Sequence, residues 1–136
     1  MNEELRYYGF CNYYLSQLQY GLQNAHVIAE MSQDDYNKQD FLDWAIYHKT
    51  IILLNGGNQK ALQDLLDFIE FSSDDNPRQH SFKYGYFRED DESLNGCMTA
   101  VGIILPKRVY DYNPETDLLS GFEWELAVKL KTYRLI

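Results

Sequence analysis

The chain has few cations. It contains 12 Lys and Arg against 21 Asp and Glu in 136 residues, which gives a formal net charge of -9. A protein that binds DNA or RNA along the phosphates needs clustered basic side chains, so we expect no large nucleic acid as a partner. A small anionic ligand is compatible with this composition, because one or two arginines and a helix N-terminus are enough to hold a pyrophosphate.

Cysteines and long apolar runs are also scarce. Cys11 and Cys97 are the only two cysteines, the first residues show no apolar leader, and no apolar run approaches membrane-spanning length. We therefore expect a cytosolic protein with reduced thiols and no membrane association. The length fits one domain, and we expect residues 1–136 to form a single ligand-binding domain.

Motifs of catalytic and metal sites are missing. His26, His48 and His80 have no metal-ligand spacing, and the sequence contains no HExxH, CxxC, GxSxG, P-loop or GxGxxG. The acidic run at 89–92 lacks the spacing of a calcium loop and is typical of a solvated loop. We expect no metal, no cofactor and no catalytic residues, which favours binding over turnover.

The hydrophobic patterns that are present alternate between strand and helix. They predict an α/β fold, a small mixed β-sheet flanked by helices in the order β-α-α-β-α-β-β, with a C-terminal helix. The predicted strands are residues 7–14, 50–54, 82–87 and 98–105. The second is a continuous apolar run, as expected for a strand that is covered on both sides.

Three helices are predicted between these strands. The first starts at Ser16, and its apolar stripe consists of Leu18, Leu22, Ala25 and Ala29, although Gly21 weakens this helix by roughly 1 kcal/mol relative to alanine. The second places Phe41, Trp44, Ala45 and His48 on one face. The third is capped by Asn58 and has an apolar face of Ala61, Leu62, Leu65, Leu66 and Ile69.

The C-terminal segment has two interpretations. Alternation of apolar and polar residues from Phe122 is typical of a strand, whereas Ser120 and Glu123 form a capping box that favours a helix. We predict the helix. Trp124 and Val128 would then be surplus apolar surface, so we expect a homo-oligomer, a dimer or higher, with Trp124 at the contact.

Candidate ligand-binding residues fall in two blocks, at 13–26 and 86–100, with Arg108 just beyond the second, and the chain is rich in aromatics, with 12 tyrosines. Phe87 is expected to stack on a base, while Arg88 and Arg108 hold phosphate and Asn95 makes polar contacts with the ligand. Arg88 could instead pair with the acidic loop beside it, Asn95 could only shape a turn, and Arg108 could be an exposed cation. The remaining candidates are Thr99, Gln23 and His26.

Part of this pattern resembles the second family of peptidyl-tRNA hydrolases. The resemblance rests on residues 14–26, the strand at 50–54, and the segments 87–90 and 98–101, and it covers roughly residues 7–106. It implies a mixed sheet flanked by helices. That family has a lysine at the start of its first helix and a basic face for tRNA, where this chain has Gln17, Gln19 and Gln23 and an acidic composition.

A narrower resemblance is to the Thoeris anti-defence family of phage proteins. It is carried by the small acidic chain, the aromatic first strand, Phe87-Arg88, Asn95 and the added C-terminal segment. It implies a homo-oligomeric sponge in the host cytoplasm that sequesters a cyclic ADP-ribose isomer made by TIR-domain enzymes, without cleaving it. A hydrolase and an acidic inhibitor of a host protein remain the alternatives.

Overall fold

A four-stranded mixed β-sheet lies at the centre of the computed structural model, which describes residues 3–70, 82–89 and 97–136. Its strands are β1 (Leu5–Asn12), β2 (Ile51–Gly57), β3 (Tyr84–Arg88) and β4 (Met98–Pro106), in the spatial order β2-β1-β4-β3. β1 and β2 are parallel, and β4 runs antiparallel to both β1 and β3. The predicted fold class, a small mixed sheet flanked by helices, is confirmed.

Helices cover both faces of the sheet. They are α1 (Gln17–Gln33), α2 (Lys38–Asp43), which continues into a π-helical turn (Trp44–His48), α3 (Gln59–Glu70), α4 (Lys107–Tyr110) and α5 (Gly121–Leu130). α1 and α2 pack on one face, α3 and α5 on the other. The short α4 was not predicted. Within the described ranges, none of these helices combines the length and apolar character needed to cross a membrane.

β2 lies at the edge of the sheet and is only partly buried, with Leu54 fully buried but Ile52 and Leu53 half-buried, which corrects the prediction of a strand covered on both sides. Ile51 at its start is half exposed. The apolar run reflects partial cover instead, since the end of the chain lies along the outer edge of β2. There the N–H of Asn55 donates to the carbonyl of Arg134 at 2.8 Å, and the N–H of Ile136 donates to that of Leu53 at 3.1 Å.

The α3 face of the sheet follows the predicted patterns. Asn58 caps α3, its side-chain oxygen accepting from the N–H of Ala61 at 2.8 Å, and Ser120 and Glu123 form the capping box of α5. The helix interpretation of the C-terminal segment is therefore confirmed. The buried side chains of the two helices include Leu62, Leu65, Leu66, Ile69, Phe122, Leu126 and Leu130. Trp124 and Val128 remain half exposed, as predicted.

α1 packs through a different face from the predicted one. Leu18 is 83% exposed, Leu22 is 53% exposed, and Ala25 and Ala29 also face solvent. The buried residues of this helix are Gln23, Asn24, Val27 and Met31. The apolar stripe misled the prediction because two of the side chains that face the sheet are amides, and the sheet satisfies them with polar partners.

Three glycines in one row bring α1 close to the sheet. Gly102 of β4 pairs with Gly9 of β1 on one side and with Gly85 of β3 on the other. A Cβ atom on Gly9 would lie 2.0 Å from the Asn24 side chain, and a Cβ on Gly85 would lie 2.9 Å from that of Met31. The missing side chains create the space that α1 occupies.

A buried polar chain fixes α1 above this row. The Tyr7 ring crosses the glycine row, and its hydroxyl donates to Oδ1 of Asn24 at 2.7 Å. The amide of Asn24 in turn donates to Sγ of Cys11 at 3.0 Å and to the carbonyl of Tyr20 at 2.8 Å. Because an unpaired buried amide is costly, these bonds select the rotation of α1.

Adding a methyl group to the glycine row should destabilise the fold. A Cβ on Gly102 would lie 2.2 Å from the Tyr7 hydroxyl, and Tyr7 is fully buried. We expect Gly102→Ala to lower the free energy of unfolding by about 1–3 kcal/mol or more, measured by urea denaturation. Gly121→Ala is the matched control, because its Cβ would meet no atom within 4 Å. Equal stability of the two variants would contradict the role of the row.

The buried phenol of Tyr8 should make the stability of the fold fall at alkaline pH. Burial raises the pKa of Tyr8 from 10.0 to about 12. The folded protein therefore holds this proton to higher pH than the unfolded chain, and the resulting stabilisation is complete below pH 10 and is lost as the pH rises to about 12. Phenylalanine has no proton to lose, so the free energy of unfolding of Tyr8→Phe should fall by roughly 1–3 kcal/mol less than that of the parent when the pH rises from 10 to about 12. Denaturation curves at several pH values measure this difference, and parallel losses would contradict it.

Candidate functional site

One edge of the sheet collects the ends of its three parallel-oriented strands. β1, β2 and β3 finish there at Asn12, Gly57 and Arg88, and β4 starts there at Met98. We call it the carboxyl edge. From this edge β1 leads into α1 on one face and β2 leads into α3 on the other. Ligands of α/β proteins bind in the crevice where neighbouring connections diverge in this way.

Gln23 and Thr99, two of the candidate residues, meet in the interior near this edge. They are 76 positions apart in the sequence, and both are buried. The Thr99 hydroxyl lies 3.3 Å from Oε1 of Gln23 and 3.4 Å from the carbonyl oxygen of Phe87. This hydroxyl therefore connects α1, β3 and β4 at one point.

His26 and Phe87, two further candidates, are stacked beside this point. Their ring centroids are 4.4 Å apart and the ring planes differ by 12°. Phe87 is half-buried, whereas His26 is exposed. The imidazole thus covers one face of the phenyl ring that was predicted to receive a base, and it presents its own outer face to solvent.

Arg88 follows Phe87 but points to the opposite face of the sheet. A register shift separates the two residues, and the guanidinium of Arg88 donates to the side-chain oxygen of Gln63 on α3. It also lies 6.0 Å from the centre of the Tyr86 ring. Arg88 is exposed at the carboxyl edge. Of the acidic run 89–92, with which Arg88 could instead pair, positions 90–92 lie outside the described residues.

A groove of about 470 Å³ runs along the outer edge of β3. It is bounded by Glu30, Met31 and Asp34 of the α1 side, by Glu70 of α3 and by the whole of β3. Both Phe87 and Arg88 line it, so the groove spans the two faces on which their side chains lie. Arg88 supplies a cation at the carboxyl edge, and the three carboxylates supply acceptors for hydroxyl groups.

The other end of the groove is held by a buried lysine that the sequence analysis missed. The side chain of Lys83 is fully buried, and its ammonium donates to the carbonyls of Asp34 and Tyr36, each at 2.7 Å. Desolvation lowers the pKa of Lys83, an effect that the nearby Asp34 carboxylate opposes. A lysine between Phe82 and Tyr84 in a strand-like run was the available signal. Lys83 fixes the end of α1 against β3.

Arg108 lies far from this group within the same chain. It follows β4 at the end opposite to the carboxyl edge. Met98 and Pro106 are the two ends of this nine-residue strand, and a rise of about 3.3 Å per residue puts them about 26 Å apart. Its guanidinium donates to both carboxylate oxygens of Glu123, at 2.7 and 2.8 Å, and also to Glu3. These carboxylates raise the pKa of Arg108 further above its usual range. One small ligand cannot contact Arg108 and Arg88 of one chain.

Asn95 lies outside the described residues. Cys11 is buried, and desolvation raises the pKa of its thiol to about 11, so it is protonated and a weak nucleophile at neutral pH. Within the described ranges, no three His, Cys, Asp or Glu side chains are grouped as metal ligands.

No model of a known protein family matches this chain, and no curated protein matches it. Any inference about function therefore depends on the residues of the groove and on the resemblance described above.

The contributions of Thr99 and Gln23 to the free energy of unfolding should depend on each other, because the two side chains are in contact. Thr99→Val keeps the side-chain shape but removes the hydroxyl beside a buried amide oxygen, and should cost about 1–3 kcal/mol of unfolding free energy. Adding Gln23→Met removes the stranded acceptor as well. The double variant should therefore be more stable than the sum of the single losses, by about 0.5–3 kcal/mol. Urea denaturation of all four proteins measures the coupling, and strict additivity would contradict the contact.

Proposed function

We propose that this protein binds and sequesters a small nucleotide, a cyclic ADP-ribose isomer, without cleaving it. The observation that carries the proposal is the stacked pair of His26 and Phe87 beside a groove that Arg88 also lines. Phe87 and Arg88 both line the groove, and His26 lies beside it against Phe87, so an aromatic surface and an arginine, the two groups that a purine nucleotide requires, are close together.

The base would stack on the outer face of His26, with Phe87 behind it. A base and two side-chain rings would then form three layers, and base–aromatic stacking tolerates any base because each has a π face. This assignment changes the role of Phe87, which supports the imidazole that the base contacts.

Arg88 would bind the pyrophosphate, exchanging its hydrogen bond to Gln63 for a bidentate contact with phosphate oxygens. The ribose hydroxyls would donate to Glu30 and Glu70, which line the same groove. With one arginine and three carboxylates, the groove suits a ligand whose phosphates are few and lie at one end. A cyclic ADP-ribose isomer has one pyrophosphate and two ribose rings.

Sequestration is favoured over turnover by the chemistry of the described groove. Its side chains offer stacking, one guanidinium and carboxylates, and the buried thiol of Cys11 is protonated at neutral pH. A protein of this kind would act in the host cytoplasm by lowering the concentration of a TIR-derived signal, as the resemblance to Thoeris anti-defence proteins of phages implies. We propose that it acts as a homo-oligomer and is not an enzyme.

Loss of the aromatic shelf should weaken ligand binding. Removing a stacking side chain costs about 1–3 kcal/mol, so His26→Ala and Phe87→Ala should each raise the Kd for a cyclic ADP-ribose isomer by about 5- to 150-fold in titration calorimetry. Arg88→Gln should raise it by a similar factor, because it removes a charge-assisted contact.

Lys107→Gln is the matched control for Arg88→Gln. It removes one positive charge from an exposed residue at the opposite end of β4 and should leave the Kd unchanged. Equal weakening by both variants would point to general charge rather than a site. Unchanged binding in Arg88→Gln, His26→Ala and Phe87→Ala would refute the assignment of the groove.

The fate of the ligand separates the three classes of function. The parent protein is incubated with labelled cyclic ADP-ribose isomer, isolated and then denatured. Recovery of intact ligand is expected for a sponge. Conversion of the ligand, or release of peptide from peptidyl-tRNA, would identify an enzyme. Retention of no label would refute the sponge and leave the acidic inhibitor of a host protein as the remaining alternative.

A further inference from the structure

An unusually long part of this chain carries no charge. Between Arg6 and Glu30 there is no Asp, Glu, Lys or Arg, although such residues make up 24% of the chain. The first part of this segment is β1, which is buried in the sheet. The second part is most of α1, and there the uncharged surface faces solvent.

The solvent-facing side of α1 carries a narrow apolar row, flanked by the exposed Gln17, Gln19 and His26, and we call this row the α1 stripe. It consists of Leu18, Gly21, Leu22, Ala25 and Ala29, whose spacing places them on a single side of the helix. Leu18 is 83% exposed and Leu22 is 53% exposed. Tyr14, just before the helix, is 79% exposed and extends the apolar surface. The buried residues of α1 lie on the opposite side.

Gly21 has no explanation within a single chain. A Cβ atom at this position would meet nothing within 4 Å, and glycine is a poor helix former. Gly21, Ala25 and Ala29 follow one another at intervals of four, so these small residues leave a shallow depression beside Leu18 and Leu22. The axes of packed helices approach most closely where the contact residues are small.

The charge of the protein indicates what covers the stripe. Each copy carries a formal charge of -9, so most pairs of surfaces would bring like charges together. Two α1 stripes can meet without doing so, because charges are screened over about 8 Å at physiological salt and the stripe itself has none. A charged partner would find no opposite charge on the stripe, whereas a second copy of the stripe would match it as an uncharged apolar surface.

We propose that the α1 stripe is an interface between two copies of this chain, in which α1 packs against α1 of the second copy around a two-fold axis. Such an interface is self-complementary and closed, so it forms a dimer. The surface around Trp124 differs, since Glu125 and Lys129 accompany it on α5. The proposal does not depend on the ligand of the groove.

Light scattering and sedimentation velocity test the proposal at micromolar concentrations of the full chain. The parent should have the mass of at least two chains. Leu18→Glu should raise the dissociation constant by about 30-fold or more, as expected when a large apolar interface side chain is replaced by a charge. Leu118→Glu is the matched control, because Leu118 is 89% exposed outside the stripe, and it should leave the mass unchanged.

Gly21→Ala provides a test that a folding defect cannot imitate. The added methyl group favours the helix and meets no atom of its own chain, so the fold should be at least as stable as the parent at a concentration where both are single chains. In the dimer the added methyl group would fill the depression at Gly21, Ala25 and Ala29 into which the second α1 packs, so dimerisation should weaken. Stronger dimerisation together with a more stable fold would overturn the proposal.

Other results would also overturn it. One is a parent with the mass of one chain at all these concentrations, which would leave the stripe to a different partner. A second is dissociation by Trp124→Glu but not by Leu18→Glu. A third is dissociation of the parent when salt is raised, because an uncharged interface between acidic copies should be unchanged or strengthened by screening.

Discussion

The close approach of α1 to the sheet is the constraint on which the other features depend. It exists because Gly9, Gly102 and Gly85 occupy one row across three strands, where any Cβ would enter the space of Tyr7, Asn24 or Met31. With α1 at this depth, short amide side chains reach the backbone layer. A more distant helix would need long apolar side chains in the same places.

The short distance between α1 and the sheet also brings the candidate site residues together. Because α1 lies low on the sheet, Gln23 reaches the hydroxyl of Thr99, and His26 lies flat against Phe87 at 4.4 Å. Lys83 fixes the far end of the helix through two carbonyls. His26, Phe87 and Arg88, which would contact the proposed ligand, are therefore positioned by a helix and a strand rather than by loops, which would reduce the entropy lost on binding.

Helices whose apolar face is also their buried face could be predicted from the sequence. α3 and α5 have capped starts and apolar faces that are buried as expected, so Asn58 and Ser120 were reliable signals. The buried face of α1 could not be predicted, because a single sequence does not reveal that Asn24 will find partners inside the protein. For the site, His26, Phe87, Gln23 and Thr99 came together, whereas Arg108 did not. Its strand carried it to the other end of the sheet, where Glu123 is its partner.

The orientation of α1 has a consequence for its exposed leucines. Rotating the helix by half a turn would bury Leu18 and Leu22, and burying a leucine is worth about 1.5–3 kcal/mol. The rotation would also take Asn24 from Tyr7 and Cys11, and it would place the leucines on the flat glycine row, where Val27 and Met31 now fit. The buried bonds therefore hold the apolar row outward. A helix that places two amides against the sheet and two leucines in solvent departs from the ordinary amphipathic pattern, and the second apolar surface that we propose would restore the burial of those leucines.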